Sequence, residues 1–186
     1  MINKDLEKHL NEYLNVAKFS DYCPNGLQIE GRTDLHKIIA GVSANQDLIE
    51  YAIDEQADAL LVHHGFFWKN ENPAITGIKR NRIKALLDNN INLFAYHLPL
   101  DAHPIVGNNI QLALRLNIQN PMPIGDTLVW QGEVDSTLES VAQSVQTITQ
   151  RMPLVFGPKN KPIKKITWCS GGAQSYIEHA INVGAD

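Results

Sequence analysis

The sequence predicts an α/β fold built on a parallel sheet. Three observations carry that reading. Short apolar runs alternate with segments of helical periodicity. The most polar clusters fall just past the ends of those runs, where open α/β sheets bind ligands. A strand–helix unit also recurs without a gap, at a constant offset of 128 residues (Lys37 against Lys165).

The elements follow in chain order. Leu6, Leu10 and Leu14 recur every four residues and predict an opening helix. "DYCPNGLQIEG" reads as a loop, with Pro24, Asn25 and Gly26 as turn residues. "KIIAGVS" (Lys37 to Ser43) predicts a buried strand, and Leu48, Ile49, Ala52 and Ile53 mark a helical face after it. "ALLVHHG" is a second strand. "GIKRNRIKALLDNN" is a helix with Ile78, Ile83, Leu86 and Leu87 inward and Asn89-Asn90 as its stop. "INLFAYHLPLDAH" is a third strand running into an irregular loop held by Pro99, and "NNIQLALRL" is a short helix.

Residues 122–162 differ in character. Ser136 and Glu139 stand at capping-box spacing before a face of Leu138, Val141, Ala142, Val145 and Ile148. "MPLVFGPKNKP" then reads as a strand and a turn. The expected organisation is a first α/β unit over 1–121, an accessory or inserted segment over 122–162, and the start of a second unit over 163–186.

The repeat supports that division. "KIIAGVSANQDLIEYAIDEQAD" (Lys37 to Asp58) matches "KITWCSGGAQSYIEHAINVGAD" (Lys165 to Asp186) at nine of twenty-two positions, among them Gln46 with Gln174 and Glu50 with Glu178. Apolar periodicity alone would not pair those polar residues. The first copy runs on into "ALLVHHG", whereas the second stops at Asp186. The expectation is two duplicated units, the second incomplete in this chain, with a later strand that ends in a histidine–acid pair.

Composition narrows the function classes. The chain has 186 residues, 44% of them hydrophobic, and a net charge of −4. That charge argues against binding dominated by nucleic-acid phosphates. No apolar run is long enough to span a membrane. The charged amphipathic start is unlike a secretory signal. Two distant cysteines, Cys23 and Cys169, point to free thiols in a reducing cytoplasm.

His63, His64, His97 and Asp101 are the candidate site. Imidazole nitrogen and carboxylate oxygen are the usual ligands of Zn, Mn, Fe and Ni. Neighbours in a regular strand point to opposite faces. His63 and His64 would therefore converge on one centre where the strand breaks at Gly65, or serve two metals with a bridging carboxylate. Asp101 follows His97 by four residues and is the carboxylate expected to complete the set. His97 suits three roles: ligand, partner of a ligand, or proton shuttle. Lys69, just past the histidine loop, is the candidate anion-binding residue. Phe66, Phe67 and Trp68 read as packing, and "KRNRIK" (Lys79 to Lys84) as a solvated face. His9, His36, His103 and His179 read as ordinary structural or exposed histidines.

"SDYCPNGLQIEG", "VHHGFFWK", "RNRIKALL" and "HLPLDAHPIVGNN" occur in order, and the similarity they carry extends over nearly the whole chain. Together they resemble the YbgI-like family of dinuclear-metal proteins, commonly labelled type 2 GTP cyclohydrolase homologs. The resemblance implies two divalent metals held between paired α/β units in a toroidal homohexamer. It places the first-half ligands on His63, His64 and Asp101 and matches His97 to another site residue. The family's remaining ligands lie in a later H-x-x-x-E motif, which these residues do not contain.

The leading expectation is a metal-dependent hydrolase acting on a nucleotide or related small molecule, with His97 moving protons. A non-catalytic metal-binding or metal-insertion protein is the alternative. A ring around nucleic acid is a third reading, which the negative charge disfavours.

Overall fold

The computed structural model describes residues 1–186 and divides into two units, Met1–Leu100 and Asp101–Asp186. The first contains α1 (Asn3–Tyr13), β1 (Gly26–Ile29), β2 (Ile38–Ser43), α2 (Gln46–Asp54), β3 (Ala59–His64), α3 (Gly77–Asp88) and β4 (Asn92–Ala95). Its sheet has the order β1-β4-β3-β2. β2, β3 and β4 run parallel, while β1 is antiparallel to β4. The expected parallel sheet is therefore a mixed one. Residues 26–29, read from sequence as loop, form its antiparallel edge.

Period-two alternation along the central strands builds two cores, one on each face. Leu60, Val62, Leu93 and Ala95 pack with Ile49 and Ala52 of α2 and with Ile83 and Leu86 of α3. Ala59, Phe94 and Tyr96 pack with Leu6 and Leu14. Each large aliphatic side chain buried this way contributes about 1.5–3 kcal/mol. Two sequence expectations need correction. β2 is an edge strand rather than a buried one, with Val42 70% exposed. In α3 only Ile83 and Leu86 are buried, because Ile78 and Leu87 lie off the narrow stripe that meets the sheet.

A buried asparagine ties the first unit together. Asn92, fully buried, accepts from Asn3 Nδ2 (3.2 Å) and the Gly31 N–H (2.9 Å). It donates to the carbonyls of Arg32 (2.8 Å) and Asp58 (3.0 Å). Satisfying all four hydrogen-bonding positions makes a buried amide tolerable in a central strand.

α4 (Leu98–Ala102) leads into the second unit, with Pro99 in its first turn. Proline needs no N–H partner there, so "HLPLDA" forms a short helix rather than the irregular loop expected. Then follow α5 (Asn108–Arg115), β5 (Gln119–Pro123), β6 (Trp130–Thr137), α6 (Leu138–Thr149), β7 (Pro162–Trp168) and α7 (Ile177–Asn182). β5, β6 and β7 make an antiparallel sheet. Thr137, not Ser136, caps α6, its Oγ1 accepting from the Ser140 N–H at 3.3 Å. The predicted face of α6 is the half-buried one. "MPLVF" is not a strand: Met152, Leu154 and Phe156 are 82%, 83% and 83% exposed. No helix is long and apolar enough to cross a membrane.

Candidate metal centre

The β3–β4 ladder pairs Ala59–Val62 with Asn92–Ala95. Beyond it the chains stay linked by the Tyr96 N–H to the Val62 carbonyl (3.0 Å), and His63 Nδ1 lies 2.9 Å from the Tyr96 carbonyl. On the other side, β2 keeps pairing two residues further, with Ser43 opposite His64. Ser43 Oγ lies 3.0 Å from His64 Nδ1. The two histidines thus take anchors from different neighbours at the strand end. Their rings nevertheless sit together, centroids 4.4 Å apart. The third ring, His97, stands just past β4, with its centroid 5.0 Å from His63 and 5.8 Å from His64. Ligand atoms of the three lie within 4.8 Å of one another.

For His63 the anchor decides which nitrogen the ring offers. A carbonyl oxygen only accepts, so His63 Nδ1 carries the proton and its lone pair is on Nε2. His97 Nδ1 lies 2.7 Å from Asp21 Oδ1. Outer partners of this kind are what orient histidines at metal sites. Three half-buried imidazoles with anchored Nδ1 atoms fit a borderline divalent ion such as Zn, Fe or Ni.

Asp21 was not singled out in the sequence. Its side chain is 3% exposed. Oδ1 accepts from His97 and from the Tyr22 N–H (2.6 Å), and Oδ2 accepts from Asn25 Nδ2 (2.8 Å) and the Leu98 N–H (2.9 Å). Burial pushes this carboxyl up. The bonds from His97, Asn25, Leu98 and Tyr22 outweigh that and lower its pKa to about 2. Burial, with the Asp21 charge beside it, pushes the Cys23 thiol up to about 12. Asp21, Cys23 and His97 also bring ligand atoms within 4.8 Å. The carboxylate already takes four hydrogen bonds, so this second group reads as packing around His97.

The whole segment Asp21 to Gln28 braces the centre. Asn25 Oδ1 accepts the His97 N–H (2.7 Å), Gln28 Oε1 the Phe66 N–H (2.7 Å), and the Tyr22 carbonyl the Lys69 N–H (2.6 Å). Gly65 is required by close approach rather than by turn geometry. A Cβ there would lie 2.1 Å from Gln28 Oε1 and 2.7 Å from the Ala95 Cβ.

Among the predicted packing aromatics, Phe66 is buried, and Phe67 lies beneath Lys79 Nζ, 5.0 Å from its ring centroid. Trp68 instead meets His97 edge-on, centroids 5.0 Å apart, with its indole N–H on the Gly65 carbonyl (3.2 Å). Lys69 is exposed on the same loop. In the basic stretch, Lys79 pairs with Glu71 and Lys84 with Asp88.

Asp101 belongs to the second unit. It is buried, and its Oδ1 accepts from Asn108 Nδ2 and Ser170 Oγ, both at 2.8 Å. Asn109 donates to the Asp101 carbonyl (3.2 Å) and accepts the Ser170 N–H (2.7 Å). These contacts hold the end of α4, the start of α5 and the end of β7 together.

Comparison with known proteins gives a consistent picture. The model of the family described as Duf34/NIF3 (NGG1p interacting factor 3) matches residues 1–186. A Pasteurella multocida protein named "GTP cyclohydrolase 1 type 2 homolog" is 50% identical over 189 residues, 98% of this chain and 75% of that protein. A Haemophilus influenzae protein of the same name is 49% identical over 194 residues, 100% of this chain and 76% of its own. A solved structure described as protein ybgI, of unknown function, is 46% identical with a TM-score of 0.94. The match covers 100% of this chain and 76% of that one.

Proposed function

This chain belongs to the Duf34/NIF3 family, and from that premise we propose that it is a divalent-metal-binding protein whose centre hydrolyses a nucleotide or related small molecule. One observation carries the reading: His63, His64 and His97 gather at adjacent strand ends, each with Nδ1 anchored. His63 and His64 would hold metal, with Asp101 as a further ligand. The family resemblance suggests two ions drawn from Zn, Mn, Fe or Ni, and the relatives' cyclohydrolase name supports a nucleotide as substrate. The chemistry a bound divalent ion supplies is Lewis acidity toward an electrophilic carbon or phosphorus. His97 would accept and return a proton at Nε2, and Lys69 would hold a substrate anion.

We also infer that Lys37–Asp58 and Lys165–Asp186 are copies of one unit. The division 1–121, 122–162 and 163–186 goes with that reading; the family resemblance suggests a homohexameric assembly, and the two free cysteines suggest a cytoplasmic location. The test is metal analysis followed by turnover against nucleotides and phosphoesters with each metal supplied in turn. Turnover that needs both metal and His97 supports the hydrolase. A filled centre that turns over nothing and passes its metal readily to a chelator overturns it in favour of a metal carrier.

A further inference from the structure

We propose that Asp21 is the positioning residue of His97, holding the ring by its Nδ1–H so that Nε2 is its proton-accepting atom beside the His63–His64 pair. The proposal rests on the metal-centre reading for its purpose, but on its own geometry for its content.

The geometry is over-determined in a way that simple packing does not require. Asp21 Oδ1 holds the imidazole at 2.7 Å, while Oδ2 holds the very next backbone N–H, that of Leu98, at 2.9 Å. The His97 N–H goes to Asn25 Oδ1 at 2.7 Å, and Asn25 Nδ2 returns to Asp21 Oδ2 at 2.8 Å. Side chain and backbone of one residue are thus gripped by two residues four apart. The grip reaches across 72 to 77 positions of sequence. Trp68 closes the ring from the side, edge-on at 5.0 Å. An imidazole held only for packing needs one hydrogen bond at most. One held by a buried carboxylate at Nδ1 is fixed in both tautomer and rotation.

An alanine at position 21 removes the acceptor that His97, Leu98, Tyr22 and Asn25 share. The experiment uses the 186-residue chain with 15N-labelled histidine in Zn2+-containing buffer at about pH 8, where an ordinary imidazole is neutral. Long-range 1H–15N correlation spectra read which ring nitrogen carries the proton. Wild type is expected to show His97 as the Nδ1–H form. Asp21→Ala is expected to lose that signature, and Asn25→Ala, which leaves the carboxylate in place, to keep it. An Nε2–H ring in wild type would overturn the proposal. So would an unchanged tautomer in Asp21→Ala, or its loss in Asn25→Ala. If Asp21→Ala does not fold, the wild-type and Asn25→Ala spectra decide. Metal content measured in parallel separates this outcome from failure of the metal-centre reading.

Discussion

Asp58 and Asp186 close their strand–helix units with the same hydrogen bonds, 128 residues apart. Asp58 Oδ2 accepts the successive N–H groups of His36 (2.6 Å) and Lys37 (2.8 Å), and its own N–H returns to the Lys37 carbonyl (2.8 Å). Asp186 Oδ2 accepts those of Lys164 (2.7 Å) and Lys165 (2.9 Å), and its N–H returns to the Lys165 carbonyl (3.0 Å). The residues two before them, Gln56 and Gly184, both adopt positive φ at the helix exit. Chance similarity between two strand–helix units does not call for the same carboxylate at the same register. The correspondence supports the proposed duplication.

The first prediction concerns Asp58. Burial pushes its carboxyl up, but the Lys37 and His36 N–H groups and the Arg32 guanidinium outweigh this and hold its pKa below the ordinary value. A depressed folded-state pKa contributes stability that is full above the unfolded value of about 3.9 and is lost as pH falls through the folded one. Asp58→Asn is therefore expected to cost about 1.5–3 kcal/mol at neutral pH. Its stability should then fall less steeply than wild type's below about pH 4. Urea unfolding at neutral and acid pH checks both, and parallel pH curves would refute the assignment.

A second prediction follows from Asn92. Asn92→Ala strands the Asn3 amide, the Gly31 N–H and two carbonyls inside the first unit. The expected loss is about 3 kcal/mol, read from denaturant midpoints. A loss below about 1 kcal/mol would mean that water replaces the amide.

Gly65 gives a third. Gly65→Ala drives a methyl group toward Gln28 and Ala95, and Ala95 belongs to a central strand that cannot yield cheaply. Overpacking of this kind costs about 1–3 kcal/mol. The strand end carrying His63 and His64 should move with it, so metal uptake should weaken along with stability. Unchanged uptake in a destabilised variant would show that the loop's position is not what sets the centre.

Much of this was legible in the sequence, for identifiable reasons. The leucine spacing of α1 and the apolar face of α6 survive intact because periodicity reports burial directly. β1 escaped notice because "GLQI" is four residues long and follows turn residues at once. β6 escaped because Gly132 and alternating polar residues leave it no apolar run. α4 was hidden by Pro99, which breaks helices in their interior but not in their first turn. At the site, His63, His64 and His97 announce themselves by residue type at strand ends. Asp21 and Asn25 do not, because their work is done on ring and backbone N–H groups more than 70 positions away. No local pattern encodes that distance.

The central claim is that His63 belongs to a metal centre, and metal content after exhaustive dialysis tests it most directly. Wild type, His63→Ala, Asp101→Ala and His97→Ala would be loaded with Zn2+ or Mn2+, dialysed, and measured for metal per chain, with urea midpoints taken alongside. His63→Ala and Asp101→Ala are expected to lose metal roughly 10-fold or more while still unfolding cooperatively, as loss of a ligand should cost at least what loss of an outer-shell partner costs. His97→Ala is expected to keep most of it. Full metal occupancy in His63→Ala would contradict the account.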